Sequence, residues 1–550
     1  MLNLREYAET PVLLADYLPW ACMVAPGVVL NKDGSFQTTF KYRGPDLESS
    51  TEEELVSVMA RVNNVLRRFG SGWALFFEAQ RHEVHDYPEA EFPDALSWLV
   101  DQERALQAEE AGTRFESAYY LTLLWLPPAD ATGRAEKALI QRAETEDAAT
   151  WRHRLETFQQ HAARVFDLLA TCLAEIAKLS DDETLTYLHS TISTKRHPVA
   201  TPELPVFLDA ILADEPFAGG LEPMIGEAHL RTLTILGFPA STLPGILDEL
   251  NRQGFAYRWA TRFIAMDKAE AEKVLGKRRR HWFAKRKSIG AVLRETMFNE
   301  QAALVDNDAD NKAADADAAL QELGSDLVSY GYVTTTITVA HPDRRTVDEH
   351  IRVAERIVNG RGFTAIRETL NAVDAWLGSL PGHPYANVRQ PILHTLNLAH
   401  MVPLSAVWAG EDTNRHLQAP ALIQAQTDGT TPFRLNLHIG DVGHTLVVGP
   451  TGAGKSVLLS LLALQWRRYE GAQVFIFDKG RSARAATLAM GGAHIDLGSS
   501  NAPSLQPLKD IDTDTGASFA ADWLAGLCTN EGVAMTPDLK ARLWEAIQSL

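Results

Sequence analysis

The residues best suited to chemistry lie in one run, Gly449-Pro450-Thr451-Gly452-Ala453-Gly454-Lys455-Ser456, which has the spacing G-x-x-x-x-G-K-S. Glycines at these positions let successive backbone N–H groups turn inward with no Cβ in the way, making a nest for phosphate oxygens at the positive end of a helix dipole. Lys455 is suited to neutralise β- and γ-phosphates, and the Ser456 hydroxyl to ligate Mg²⁺. The chemistry implied is binding of Mg·ATP, with Lys455 and Ser456 as the residues that would also serve hydrolysis. Further on, Asp478 follows the apolar run Val474, Phe475, Ile476 and Phe477. It fits either the acid linked to Mg²⁺ or a residue with a local role in its own turn. No later segment has four apolar strand residues followed by Asp-Glu, the pair that normally orients Mg²⁺ and activates water. The earlier Leu247-Asp248-Glu249 falls in a helical pattern in another domain. His82, His85 and Asp86 have ligand-like spacing, but nothing nearby in sequence completes a metal site.

Such a loop works only between a strand and a helix. Residues 444–448 (HTLVV) read as a buried strand before it, residues 457–469 as a helix after it, and residues 474–477 as a second strand. Upstream, one local pattern appears three times: strand, capped helix, Gly-aromatic, strand. Phe36, Thr38, Phe40 and Tyr42 alternate as a half-buried strand does; Ser50 and Glu53 have capping-box spacing; Leu55, Val58, Met59, Val62, Leu66 and Phe69 repeat at helical period, and residues 70–77 return as a strand. The second copy has residues 230–236, a helix after Pro244 through Leu250, then Gly254-Phe255 and residues 257–264. The third has Val333, Thr335, Ile337 and Val339, a Thr346/Glu349 box, then Gly362-Phe363. Between them lie the apolar strand 119–126 and an amphipathic helix with Leu155, Phe158, Ala162, Phe166, Leu169 and Leu173 on one face. This is the pattern of two α+β units of ferredoxin-like split βαβ type, or of the general recurrence of strand, turn and helix in an α+β chain.

The acidic stretch 306–319 reads as a solvated insert, and Pro- and Gly-containing segments at 380–385 and 409–414 as linkers. The expected organisation is an α+β domain over 1–200, a second over 201–390 carrying the insert, and an α/β P-loop domain over 391–550. A chain of 550 residues with 45% hydrophobic and 22% charged residues fits several soluble globular domains and excludes disordered, collagenous and disulfide-scaffold classes. The three cysteines, Cys22, Cys172 and Cys528, lie far apart and make no CxxC pair, as in a reducing compartment. The N-terminus lacks the basic start and apolar core of a secretory signal, and the apolar stretch 18–30 is broken by Pro19, Pro26 and Gly27, so any membrane contact is expected to be peripheral. With 52 Lys+Arg against 71 Asp+Glu the net charge is −19, which repels polyanions. Binding of DNA or anionic lipid would therefore need a local basic patch. Residues 277–287 (KRRRHWFAKRK) offer one, with Trp282 and Phe283 among the cations, although on a helix the same charges would wrap a solvated face.

The run from Gly440 to Pro507, with Leu396-Asn397-Leu398-Ala399 and Met401-Val402-Pro403 before it, resembles the TrbE-type conjugal transfer ATPases of type IV secretion systems. The resemblance extends to Leu18-Pro19-Trp20, Lys32-Asp33-Gly34-Ser35, Gly226 and Phe238-Pro239, so it covers essentially the whole chain. It implies a RecA-like motor domain at Gly449 to Ser456. It also implies a hexamer at the cytoplasmic face of the inner membrane, working with other secretion components to energise pilus assembly and the transfer of substrate or DNA. Members of that family carry their acidic Mg²⁺ motif, glutamine and arginine finger further along than Leu550, and residues 537–550 read as a helix without a stop signal. The chain is therefore expected to end inside its motor domain. Two other readings stand beside the motor: an assembly module that binds nucleotide without turnover, and a DNA translocase unrelated to secretion.

Overall fold

The computed structural model describes residues 13–550 apart from 48, 85–86, 128–143, 205, 240, 287–318, 387–388, 406, 501 and 503–505. The acidic stretch 306–318, His85 and Asp86 lie outside the described residues, as do the side chains of the basic segment beyond Lys277; the backbone of that segment is helical to Arg286. The chain forms two compact units, residues 1–89 with 105–444, and residues 90–104 with 445–550.

Alternating apolar residues and β-branched threonines give the first unit its strands: β1 (Trp20–Ala25), β2 (Val28–Asn31), β3 (Phe36–Arg43), β4 (Trp73–Val84), β5 (Arg114–Trp125), β6 (Glu175–Lys178), β7 (Phe217–Ala218), β8 (Met224–Ile225), β9 (Ala228–Gly237), β10 (Tyr257–Ala265), β11 (Tyr330–His341), β12 (Thr364–Arg367) and β13 (Ile392–His394). All thirteen join one sheet in which every pairing is antiparallel. Its spatial order contains two copies of one topology. The first runs β6-β3-β5-β4 and the second β12-β9-β11-β10. In each copy the first two strands are parallel to one another and separated by the third, which is the split βαβ arrangement. The stretches 1–200 and 201–390 thus contribute equivalent strands to one sheet, joined where β4 runs antiparallel to β10 from Tyr257↔Arg81 to Ile264↔Ala74.

Helices Glu52–Leu66, Glu144–Ala170 and Arg344–Gly360 contribute to the apolar core on one face, which includes Phe77, Tyr119, Trp259, Phe263, Val333 and Ile337. Alternation sends the neighbouring residues to the other face, and there the centre is polar: Thr39 meets Thr122, Thr261 meets Thr335, and Thr232 meets Thr338 through their hydroxyls.

Several local expectations need correction. Helix Glu52–Leu66 is capped by Thr51, whose hydroxyl accepts from the Glu54 N–H, and helix Arg344–Gly360 by Asp343, which accepts from Thr346. In both places the hydroxyl or carboxylate at the true helix start outcompetes the capping-box residues Ser50 and Thr346. After Pro244 there is only a 3₁₀ turn, Asp248–Arg252, because Gly245 breaks the backbone at φ +67°. Residues 444–448 and 474–477 are not strands here. Among the described residues of the second unit no β-ladder forms, so these apolar runs have no neighbour to bury them and Phe477 is fully exposed.

Candidate nucleotide site

In the second unit, helices Lys455–Trp466, Arg484–Ala489, Asp514–Asn530 and Pro537–Gln548 follow one another. The first starts directly after Gly454. Gly452 and Gly454 adopt φ of +87° and +85°, a region L-residues rarely enter. A Cβ at either would meet no atom within 4 Å, so backbone conformation rather than crowding demands glycine there. The first intrahelical bond runs from Leu458 N–H to Gly454 O at 3.0 Å. The N–H groups ahead of it are the orphan donors with which a helix start meets an anion. Lys455 folds back over the loop, and its Nζ donates to the carbonyls of Gly449 and Pro450, both at 2.7 Å. Pro450 O also accepts from Ala453 N–H at 3.4 Å, closing the turn through Thr451. Ser456 sits exposed in the first helical turn. The eight loop residues are therefore one folded unit with its cation laid across it.

Asp478 is tied to its own turn. Its carboxylate accepts from Ala483 N–H at 2.9 Å, Gly480 N–H at 2.9 Å and the Ser482 hydroxyl at 3.1 Å, and these bonds, led by the one from Ala483, hold it below the usual carboxylate range. The turn forces Arg481 to φ +59°, with its guanidinium on Asp496 at 2.8 Å. None of these bonds reaches residues 449–456.

A contribution that sequence reasoning missed comes from far upstream. Residues 90–104, including the start of helix Ala95–Glu110, belong to the nucleotide unit. Asp101 forms a buried ion pair with Arg468 at 3.1 Å, just beyond the end of helix Lys455–Trp466, and Phe92 lies 5.9 Å from the same guanidinium. Neither residue type nor spacing announces a partner so distant in sequence. Among the described residues no cluster of His, Cys, Asp and Glu could hold a metal ion, and no helix is long and apolar enough to cross a membrane. His82 is pushed down to about 4, chiefly by burial.

Comparison with known proteins adds a second line. The model for type IV secretion system ATPase VirB4/TrbE, N-terminal domain, matches residues 27–133, and that for the CagE, TrbE, VirB family, component of type IV transporter system, matches residues 283–389. Conjugal transfer protein TrbE of Rhizobium radiobacter is 36% identical over 567 residues, covering 98% of this chain and 68% of that protein. A probable conjugal transfer protein TrbE of Sinorhizobium fredii is 40% identical over 366 residues, covering 65% of this chain and 54% of that protein. Type IV secretion system protein virB4 of Bartonella henselae is 22% identical over 561 residues, 97% of this chain and 67% of that protein.

Proposed function

The chain belongs to the VirB4/TrbE family of type IV secretion system ATPases, and from that premise we propose that it is the nucleotide-binding motor subunit of a conjugative secretion apparatus. Gly449 to Ser456 cradle the phosphates of ATP, Lys455 neutralises them, and Ser456 gives its hydroxyl to Mg²⁺. The observation that carries this reading is the pair of left-handed glycines at the head of helix Lys455–Trp466 with Lys455 folded across them. Residues 391–550 then hold a RecA-like motor domain, and residues 1–200 and 201–390 are two docking units for other secretion components. The assembly is a hexamer held peripherally at the cytoplasmic face of the inner membrane, energising pilus assembly and the transfer of substrate or DNA.

One observation favours binding without rapid turnover by these 550 residues alone. Asp478 spends its carboxylate on its own turn, and no strand after the loop ends in Asp-Glu to orient water. An arginine finger alone contributes about 10³ to 10⁵ in rate, so phosphate binding without these parts leaves little hydrolysis. Binding of a fluorescent ATP analogue should be retained by the unmutated chain and abolished in Lys455→Ala. No binding by the unmutated chain would overturn the site; steady turnover that disappears in Lys455→Ala would overturn the non-hydrolysing reading and favour the motor acting unaided.

A further inference from the structure

Asp248 opens the 3₁₀ turn Asp248–Arg252 and is 5% exposed. One of its oxygens, Oδ2, accepts a hydrogen bond from the Ser405 hydroxyl; the other, Oδ1, is buried without a partner. Among the described residues no Lys, Arg or His forms an ion pair with it. Tyr42 faces it from β3, Tyr119 from β5 and Tyr257 from β10. All three hydroxyls are committed: Tyr42 to Pro403 O at 2.8 Å, and Tyr119 and Tyr257 to Asn251 Oδ1 at 3.1 and 3.3 Å. Arg81, the cation beside Tyr119 and Tyr257, spends its guanidinium on Gln253 O, Ser117, Thr430 and Thr431. The site is a carboxylate in a wall of neutral groups.

What covers it is the stretch that leads on, in sequence, to the nucleotide unit. Val402, Leu404 and Ser405 are buried, Ser405 O accepts from Asn251 Nδ2 at 3.3 Å, and Leu404 O presses so near Gly44 that a Cβ there would lie 1.6 Å away. Beyond it the Trp408 N–H donates to Asp46 at 3.1 Å, and the Arg43 guanidinium lies 4.6 Å over the Trp408 ring. These contacts fasten the segment to the sheet along its length, and Asp248 with Ser405 lies in the middle.

We propose that Asp248 is a proton-operated latch, which holds residues 402–405 firmly on the sheet when its carboxyl is neutral and loosens them when it is charged. Charge in this place has one donor and no counter-ion, so closure disfavours it. Burial pushes the carboxyl up to about 7, against the pull of the Ser405 hydrogen bond. Lifted into water it would return to about 4. Between those values the closed segment holds a proton that the open one releases. Opening therefore becomes about tenfold easier per pH unit up to pH 7 and levels off above it.

Hydrogen exchange on the full chain tests this, read as protection factors for peptides covering 402–408 between pH 5 and 8.5. Protection should fall about tenfold per pH unit and then level near pH 7. Asp248→Asn has no proton to lose and should flatten the profile. Ser405→Ala removes the donor that favours the charged form and should move the levelling point above pH 7. A flat profile in the unmutated chain, an unchanged slope in Asp248→Asn, or a levelling point displaced downward in Ser405→Ala would each overturn the latch. Should Asp248→Asn fail to fold, the unmutated chain and Ser405→Ala still decide it.

Discussion

Glu78 on β4 is 1% exposed, and both of its oxygens are in use. Arg258 on β10 meets them in a two-pronged pair at 2.7 and 3.0 Å, Tyr187 donates to one at 3.0 Å and Gln80 to the other at 2.9 Å. The pair lies across the β4·β10 seam that joins the two repeats, where Arg258 is paired with Gln80 in register. Its energetic meaning is asymmetric: a buried ion pair adds little over a well-packed apolar pair, but removing one partner strands a charge in low dielectric. Arg258→Met should therefore destabilise the chain by about 3–5 kcal/mol in urea unfolding, and Glu78→Gln added to it should recover a large part of that loss. Equal stability of Arg258→Met and the unmutated chain would mean that water already reaches Glu78.

At the scale of elements, the start of helix Lys455–Trp466 is where the sequence speaks most directly. Gly454→Ala puts a Cβ at φ +85°, a strain of roughly 1–2 kcal/mol that no neighbouring atom aggravates. It should weaken binding of the ATP analogue about ten-fold or more while leaving the circular dichroism of the helices unchanged; unaltered affinity would show that the loop need not keep this shape. The loop was legible because its chemistry is local, and so were β3, helix Glu52–Leu66 and β4, whose periodicities are carried by their own residues. Strand β6, Glu-Ile-Ala-Lys, was not legible: four residues with one part-buried apolar side chain have no period, and only pairing with β3 makes them a strand. Hairpin strands β7 and β8, two residues each, fail for the same reason. The apolar run 474–477 errs the other way, since composition promises a strand but a ladder needs a neighbour. Asp248 looked like an ordinary helical residue, and only the folded sheet brings three tyrosines and Ser405 around it.

Across the whole molecule, the two compact units differ in what a nucleotide can do to them. The first is a thirteen-stranded antiparallel sheet with an extensive apolar core, and its described residues contain no glycine loop set between a strand and a helix. The second has the loop, four consecutive helices, and the buried Asp101–Arg468 pair, with a far smaller apolar core around Ala517, Ala520 and Ile547. Units with such different cores should unfold in separate transitions, the nucleotide unit first. A ligand stabilises only what it binds, by about 2.7 kcal/mol at a concentration one hundred times Kd. Mg·ATP at that excess should move the lower transition upward, leave the upper one in place, and protect amides around 449–458 from hydrogen exchange. Lys455→Ala should remove both effects without moving either transition in the absence of nucleotide, because its Nζ bonds only exposed loop carbonyls. A primary exchange footprint within the sheet, or a shift of the upper transition that survives Lys455→Ala, would place nucleotide binding in the first unit and refute the assignment of these residues.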